Sequence, residues 1–242
     1  MAGLRTLTAI LIVLVVTRAL AQGPDELLRR SDVGGFSPRS FRARLVLTSM
    51  PQGARHEIEV WRSGDTRTLI RFMDPKERGK FLLRLDSDVW LITPGAKKPV
   101  HLSPSYRLYG GATLDEILGI RLASAYQVES VSTGTDAGGA LVVLELRAKA
   151  EGSLFPRVRY VVRETTERPV VATYRLRSGR DATAVEFLQW NERGLVYAKR
   201  LIVSDLLRKG AQTEVAILEV EARAIPDGLF SLTDPTARQA LP

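Results

Sequence analysis

The chain has 242 residues, with 45% hydrophobic and 26% charged residues, 19 glycines and 12 prolines, a balance typical of a folded globular protein and unlike a disordered or collagenous one. Thirty-five Lys and Arg against 27 Asp and Glu give a formal charge of +8. The absence of cysteine excludes disulfides, cysteine-ligated zinc and iron–sulfur sites and thiol nucleophiles, and only His56 and His101 remain for imidazole chemistry.

Residues 1–21 have the layout of an export signal. Arg5 supplies the positive start, Leu7 to Val16 a predominantly apolar run, and Ala19-Leu20-Ala21 a small-x-small cleavage pattern. A spanning helix needs roughly 20 apolar residues, about twice this run. No cysteine stands at the cleavage point, which excludes a lipid-anchored product. Removing the segment takes away Arg5 and Arg18 and no acid, so the remainder stays basic. The domain expected from this reading covers residues 22–242, exported to the periplasm. Export argues against nucleic acid as the partner of the positive charge, which alternates with apolar residues as on a solvated sheet face.

A short helix is expected to open the domain, with Pro24 at its first position, Asp25 and Glu26 in its first turn and Leu27-Leu28 as its apolar contact. Gly34-Gly35 is the expected stop. After that the sequence alternates with period two, as in Phe41-Arg42-Ala43-Arg44-Leu45-Val46-Leu47. The same pattern or a β-rich composition marks 56–60, 66–73, 81–85, 89–93, 123–131, 141–148, 158–160, 170–177, 183–190, 195–203 and 213–222. Turn signals separate these runs, among them Pro51-Gln52-Gly53, Asp86-Ser87-Asp88 and Ser178-Gly179-Arg180. The expectation is a mainly β fold with a few short helices: one antiparallel sheet of about eleven strands in meander order. A sheet of that width must twist and curl.

Residues 103–122 break the rhythm. Thr113 and Glu116 form a capping box, and Leu114, Ile117 and Leu118 lie on one helical face before Gly119. A helix this short must rest on an apolar surface. Two readings stand: an ordinary helix filling the core, or a lid hinged at Gly110-Gly111.

Catalytic constellations are missing from the sequence. His56-Glu57-Ile58-Glu59 is not a zinc-protease motif, and neither histidine has an evident partner. Asp86 and Asp88 lack the ladder of a calcium loop, and no phosphate-binding loop, nucleophile elbow or dinucleotide fingerprint occurs. No enzyme activity, cofactor or metal is expected.

The most distinctive stretch runs from Phe72-Met73-Asp74-Pro75 through Gly79 to Phe81-Leu82-Leu83, then Trp90-Leu91-Ile92-Thr93-Pro94 and the basic stretch Lys97-Lys98 before His101. With the ending Ile225-Pro226-Asp227-Gly228-Leu229-Phe230, it resembles the outer-membrane lipoprotein-sorting protein family, the LolA-like carriers. The family's segment after the basic stretch carries an early aspartate that is absent from Gly110-Gly111-Ala112-Thr113-Leu114-Asp115-Glu116-Ile117.

That resemblance implies an open half-barrel with a helical lid, and an apolar cavity that takes up acyl chains without covalent chemistry. Cavity walls then come from inward-pointing strand residues, expected to include Leu45, Leu47, Ile58, Val60, Ile70, Phe72, Phe81, Leu83, Trp90 and Ile92, with Leu114, Ile117 and Leu118 as the lid. Implied partners are an acylated lipoprotein or another lipid, an inner-membrane transporter and an outer-membrane acceptor, with the carrier itself a monomer. A lipid-sensing regulatory subunit and an accessory subunit of an inner-membrane lipid exporter are the alternative roles.

Overall fold

The computed structural model describes residues 23–32, 39–103, 106, 121–208 and 210–241. Helix α1 (Pro24–Ser31) forms where expected, its proline in the first turn and Arg29 and Arg30 in the last, and it buries Leu27 and Leu28. The chain leaves the helix at Asp32, which is already extended, ahead of Gly34-Gly35, which lies outside the described residues.

Six strands follow: β1 (Ser40–Met50), β2 (Arg55–Ser63), β3 (Arg67–Phe72), β4 (Phe81–Leu85), β5 (Asp88–Ile92) and β6 (Val100–Leu102). The one-turn helix α2 (Leu122–Ala125) leads into β7 (Tyr126–Asp136), β8 (Gly139–Ala148), β9 (Arg157–Arg163), β10 (Pro169–Arg175), β11 (Asp181–Asn191), β12 (Tyr197–Asp205) and β13 (Gln212–Ala222). A 3-10 turn (Asp227–Phe230) and the short helix α3 (Thr236–Gln239) end the described chain.

All thirteen strands form one antiparallel sheet in the order β6-β5-β4-β3-β2-β1-β13-β12-β11-β10-β9-β8-β7. Two meanders, β1–β6 and β7–β13, are joined where β1 pairs with β13. The sheet does not close into a barrel, since β6 and β7 are both edges. Thirteen strands replace the expected eleven or so. Strand β6 has three residues, too few for an alternation pattern. At the other end of the count, residues 122–125 are a helical turn and not the start of β7.

The irregular pairings are confined to one part of the sheet. Register shifts occur in the β1–β13, β9–β10, β10–β11, β11–β12 and β7–β8 pairings. The pairings from β1 through β6 are regular. Each inserted residue bends its strand and increases local twist, so the bending devices lie from the β1–β13 seam to the β7 edge. Leu218 and Leu188 are the residues skipped at two of these shifts, and both are solvent-exposed.

The inner face is apolar from one edge to the other. Leu45, Ile58 and Phe72 lie in cross-strand register, as do Ala43, Val60, Ile70 and Leu82. Val142, Leu144, Tyr160, Val162 and Tyr174 continue this core toward β7, where α1 places Leu27 and Leu28 against it. Burying two leucines contributes about 1.5–3 kcal/mol each, which is what holds so short a helix in place. Polar ties fix its position: the Tyr160 hydroxyl donates to the Ser31 carbonyl, the Asp32 carboxylate accepts from the Ala123 amide at 3.0 Å, and Arg30 pairs with Glu167 at 2.7 Å.

Candidate functional site

The inner face is the first candidate site. Every strand contributes to it: β6 through Leu102, β7 through Tyr126 and Val128, β11 through Val185 and Phe187, and β13 through Val215 and Ile217. Of the ten residues expected to line a cavity, Leu45, Leu47, Ile58, Val60, Ile70 and Phe72 belong to this face, and all six are buried. Near its rim the face carries polar groups as well. Arg62, Thr68 and Arg84 occupy one cross-strand row with Phe41 and Val89, and Arg62 and Thr68 are buried.

Phe81, Leu83, Trp90 and Ile92 lie on the other face. They pack with Trp61, Leu69, Ile225, Leu229 and Phe230 into a separate, smaller core. The expected set of ten is therefore divided between the two faces of the sheet. The sequence hides this division, because β4 (FLLRL) and β5 (DVWLI) are apolar at both parities. Their inward residues are Leu82, Val89 and Leu91. The outward ones are covered by the C-terminal segment. Leu114, Ile117 and Leu118, expected as the lid, lie outside the described residues, as does the expected signal segment.

Ion pairs organise much of the rest of the outer face. Glu59 is 1% exposed and is held between Arg42 and Arg71, while Arg71 also lies over the Trp61 ring, 5.4 Å from its centre. Arg44 pairs with Glu57, and Arg200 grips Glu214 through two bonds of 2.8 and 2.9 Å. The arginine hydrogen bond holds the Glu214 carboxyl below its ordinary range. Both histidines have partners, contrary to the expectation: His56 Nδ1 lies 3.4 Å from Asp74, and His101 Nε2 lies 2.9 Å from Asp88. The Asp86–Asp88 segment is a hairpin turn with Asp86 at φ 53°. No group of three or more metal-ligating side chains occurs among the described residues.

The sequence model of a family described only as "Uncharacterized protein" matches residues 64–234. A search of curated proteins finds no match. Among solved structures, a LolA superfamily protein from Nitrosomonas europaea superposes with a TM-score of 0.75 at 23% identity, covering 85% of this chain and 96% of that one. An outer-membrane lipoprotein-sorting domain from Vibrio parahaemolyticus gives 0.71 at 15% identity, covering 85% and 95%. A DUF1329 family protein from Desulfovibrio piger gives 0.70 at 17% identity, covering 86% and 95%. The chain belongs to the matched family, and its fold is LolA-like. At these identities the solved structures speak for the fold alone.

In this LolA-like sheet the residues that carry the sequence resemblance lie together. Asp74 caps the 3-10 turn Pro75–Glu77 by accepting from the Lys76 amide, and Gly79 closes the β3–β4 loop at φ 80°. A Cβ on Gly79 would stand 2.7 Å from the Pro94 ring, so the β3–β4 and β5–β6 loops are in contact there. The ending Ile225–Phe230 lies against the outer faces of β2, β3 and β4. The distinctive motifs thus build one corner of the LolA-like sheet and anchor the C-terminal segment to it.

Proposed function

We propose that the protein is a periplasmic carrier that binds acyl chains of lipoproteins or other lipids against the inner face of its sheet and moves them between membranes. One observation carries the reading: a single open sheet gathers apolar side chains from all thirteen strands onto one face. Among the described residues, the short helices α1 and α2 pack over that face at its β7 end, and Phe155 from the β8–β9 connection joins the same core. The expected lid, Leu114, Ile117 and Leu118, would supply the movable part of the cover. The LolA-like fold supports the same reading.

The energetic need for such a carrier is simple. Exposing an acyl chain of about sixteen carbons to water costs on the order of 12 kcal/mol, at roughly 0.8 kcal/mol per methylene. Spontaneous release from a membrane is correspondingly slow. An apolar face makes the step from bilayer to carrier nearly isoenergetic, and small affinity differences between donor, carrier and acceptor then set direction. Binding of this kind calls for no covalent chemistry. Residues 1–21 fit the export this role requires, and no helix among the described residues is long and apolar enough to cross a membrane.

Native mass spectrometry of protein drawn gently from the periplasm, followed by lipid extraction, tests the reading. Stoichiometric acylated species are expected, and uptake of an added acylated peptide is expected to fall in a Leu114→Asp/Ile117→Asp variant that keeps its sheet signature. Folded protein that emerges free of lipid and ignores added acyl ligands would overturn the carrier.

A further inference from the structure

The corner assembled by the β3–β4 loop, the β5–β6 loop and the C-terminal segment encloses a pocket of about 730 Å³. That is within the roughly 300–1,000 Å³ of small-molecule and cofactor sites. Its apolar wall includes Phe81 and Ile92, which are cross-strand partners on the outer face, with Pro94 and Leu241 beside them. Three arginines line it as well: Arg71, Arg78 and Arg238.

Two of these arginines are committed elsewhere. Arg71 reaches Glu59 at 2.5 Å, and buried Arg238 donates to the carbonyls of Leu229 and Ser231, tying α3 to the preceding turn. Burial also pushes the Arg238 guanidinium down from its usual range, so that group serves the fold. Arg78 differs. It is exposed and has no ion-pair partner among the described residues. The acids nearest to it in sequence are engaged by others, Asp74 by His56 and the Lys76 amide, Glu77 by Lys80 at 2.7 Å. Lys97 and Lys98 follow Ala96 in the same lining loop, both exposed and adding positive potential near the opening.

An uncommitted guanidinium beside an aromatic and aliphatic wall suits one class of ligand. The planar fork of arginine matches a phosphate or carboxylate, and the wall suits a hydrocarbon tail. We propose that this corner is a second binding site, separate from the inner face, for a single-chain anionic amphiphile: an acyl chain ending in a phosphate or carboxylate. The proposal rests on the corner's own residues and does not depend on the carrier reading.

The test uses the full exported chain and three probes below their micelle concentrations: lysophosphatidylglycerol, palmitate and uncharged monopalmitoylglycerol. Each carries a photo-reactive diazirine in its chain, and adducts are located by peptide mass spectrometry. Adducts are expected in residues 71–81, 92–96 and 235–241 with the anionic probes, with binding there roughly tenfold weaker for the uncharged one. Labelling by the first probe or the second identifies the head as lipid phosphate or free carboxylate. Arg78→Glu and Ala96→Trp, both surface changes, are expected to reduce corner labelling about tenfold while leaving melting temperature and inner-strand adducts unchanged. Adducts confined to the inner strands, or corner labelling indifferent to head charge and to Arg78→Glu, would overturn the proposal. So would inorganic phosphate binding as tightly as the amphiphiles, which would reduce the pocket to a plain anion site. Loss of inner-strand labelling with the corner intact would instead count against the carrier alone.

Discussion

The hydroxyl of Tyr160, on β9, donates to the carbonyl of Ser31 at the last residue of α1, 2.6 Å away across 129 positions of sequence. The ring is 1% exposed, and burial, reinforced by the Asp32 charge, pushes the phenol far above its ordinary range. The group therefore acts only as a neutral donor. It satisfies a helix-terminal carbonyl that has no partner within the helix.

Tyr160→Phe keeps the ring and orphans that carbonyl. A loss of about 1–2 kcal/mol is expected. Hydrogen exchange should localise it, with the amides of α1 exchanging faster and those of β8 and β9 holding their protection. Equal acceleration across the sheet would mean that the bond supports the core and not the docking of α1.

Glu59 offers a second test, because its carboxylate lies buried between Arg42 and Arg71. Removing the acid leaves two guanidiniums facing each other with less than full solvent access. Glu59→Leu should cost about 3–5 kcal/mol, and Glu59→Gln somewhat less because the amide still accepts a hydrogen bond. Adding Arg71→Met to Glu59→Leu should recover part of the loss, since the remaining repulsion goes with the charge. Urea unfolding of the three variants measures each step, and a double variant less stable than Glu59→Leu would contradict the charge argument.

These two contacts mark the boundary of what the sequence discloses. Alternation in β1, with Ala43, Leu45 and Leu47 inward and Arg42 and Arg44 outward, is set by a sheet wet on one side, so local pattern reveals its parity. In β4 and β5 both sides are covered, one by the inner core and one by Leu229 and Phe230 from the far end of the chain. No local pattern encodes that, and the expected cavity wall consequently mixed Ile58 and Ile70 with Leu83 and Trp90. The tail was legible as a motif and not as a cover. The pocket at Arg78 was likewise invisible, because its walls are about 160 residues apart in sequence.

Gly79 should be the least replaceable glycine of the distinctive motif. It combines a left-handed φ of 80° with a Cβ position 2.7 Å from Pro94 Cγ, and a proline ring has little room to yield. Gly79→Ala is expected to cost about 1–3 kcal/mol, from backbone strain together with the forced separation of the two loops. Gly53→Ala is a matched control, with a φ of 71° and nothing within 4 Å of the added methyl. Thermal melts of the pair separate the two contributions: equal losses would assign the whole effect to backbone strain and none to the Pro94 contact.

Acid should loosen the outer face in a defined direction. The hydrogen bonds from Arg200 hold Glu214 below its ordinary value of 4.5, and those from Arg163 do the same for Asp136 relative to 3.8. A depressed carboxyl contributes stability that is complete above its unfolded value and disappears as pH falls through the folded one. The Glu214 contribution should therefore be intact at pH 7 and diminish as pH falls below 4.5 and through the lowered folded value. Arg200 is 40% exposed, so solvent screening keeps the contribution of the pair small. Glu214→Gln should accordingly lower the urea midpoint at pH 7 and leave it almost unchanged at the acid end. A deficit of the same size at both pH values would point to lost packing of the glutamate stem between β12 and β13 and not to the ion pair.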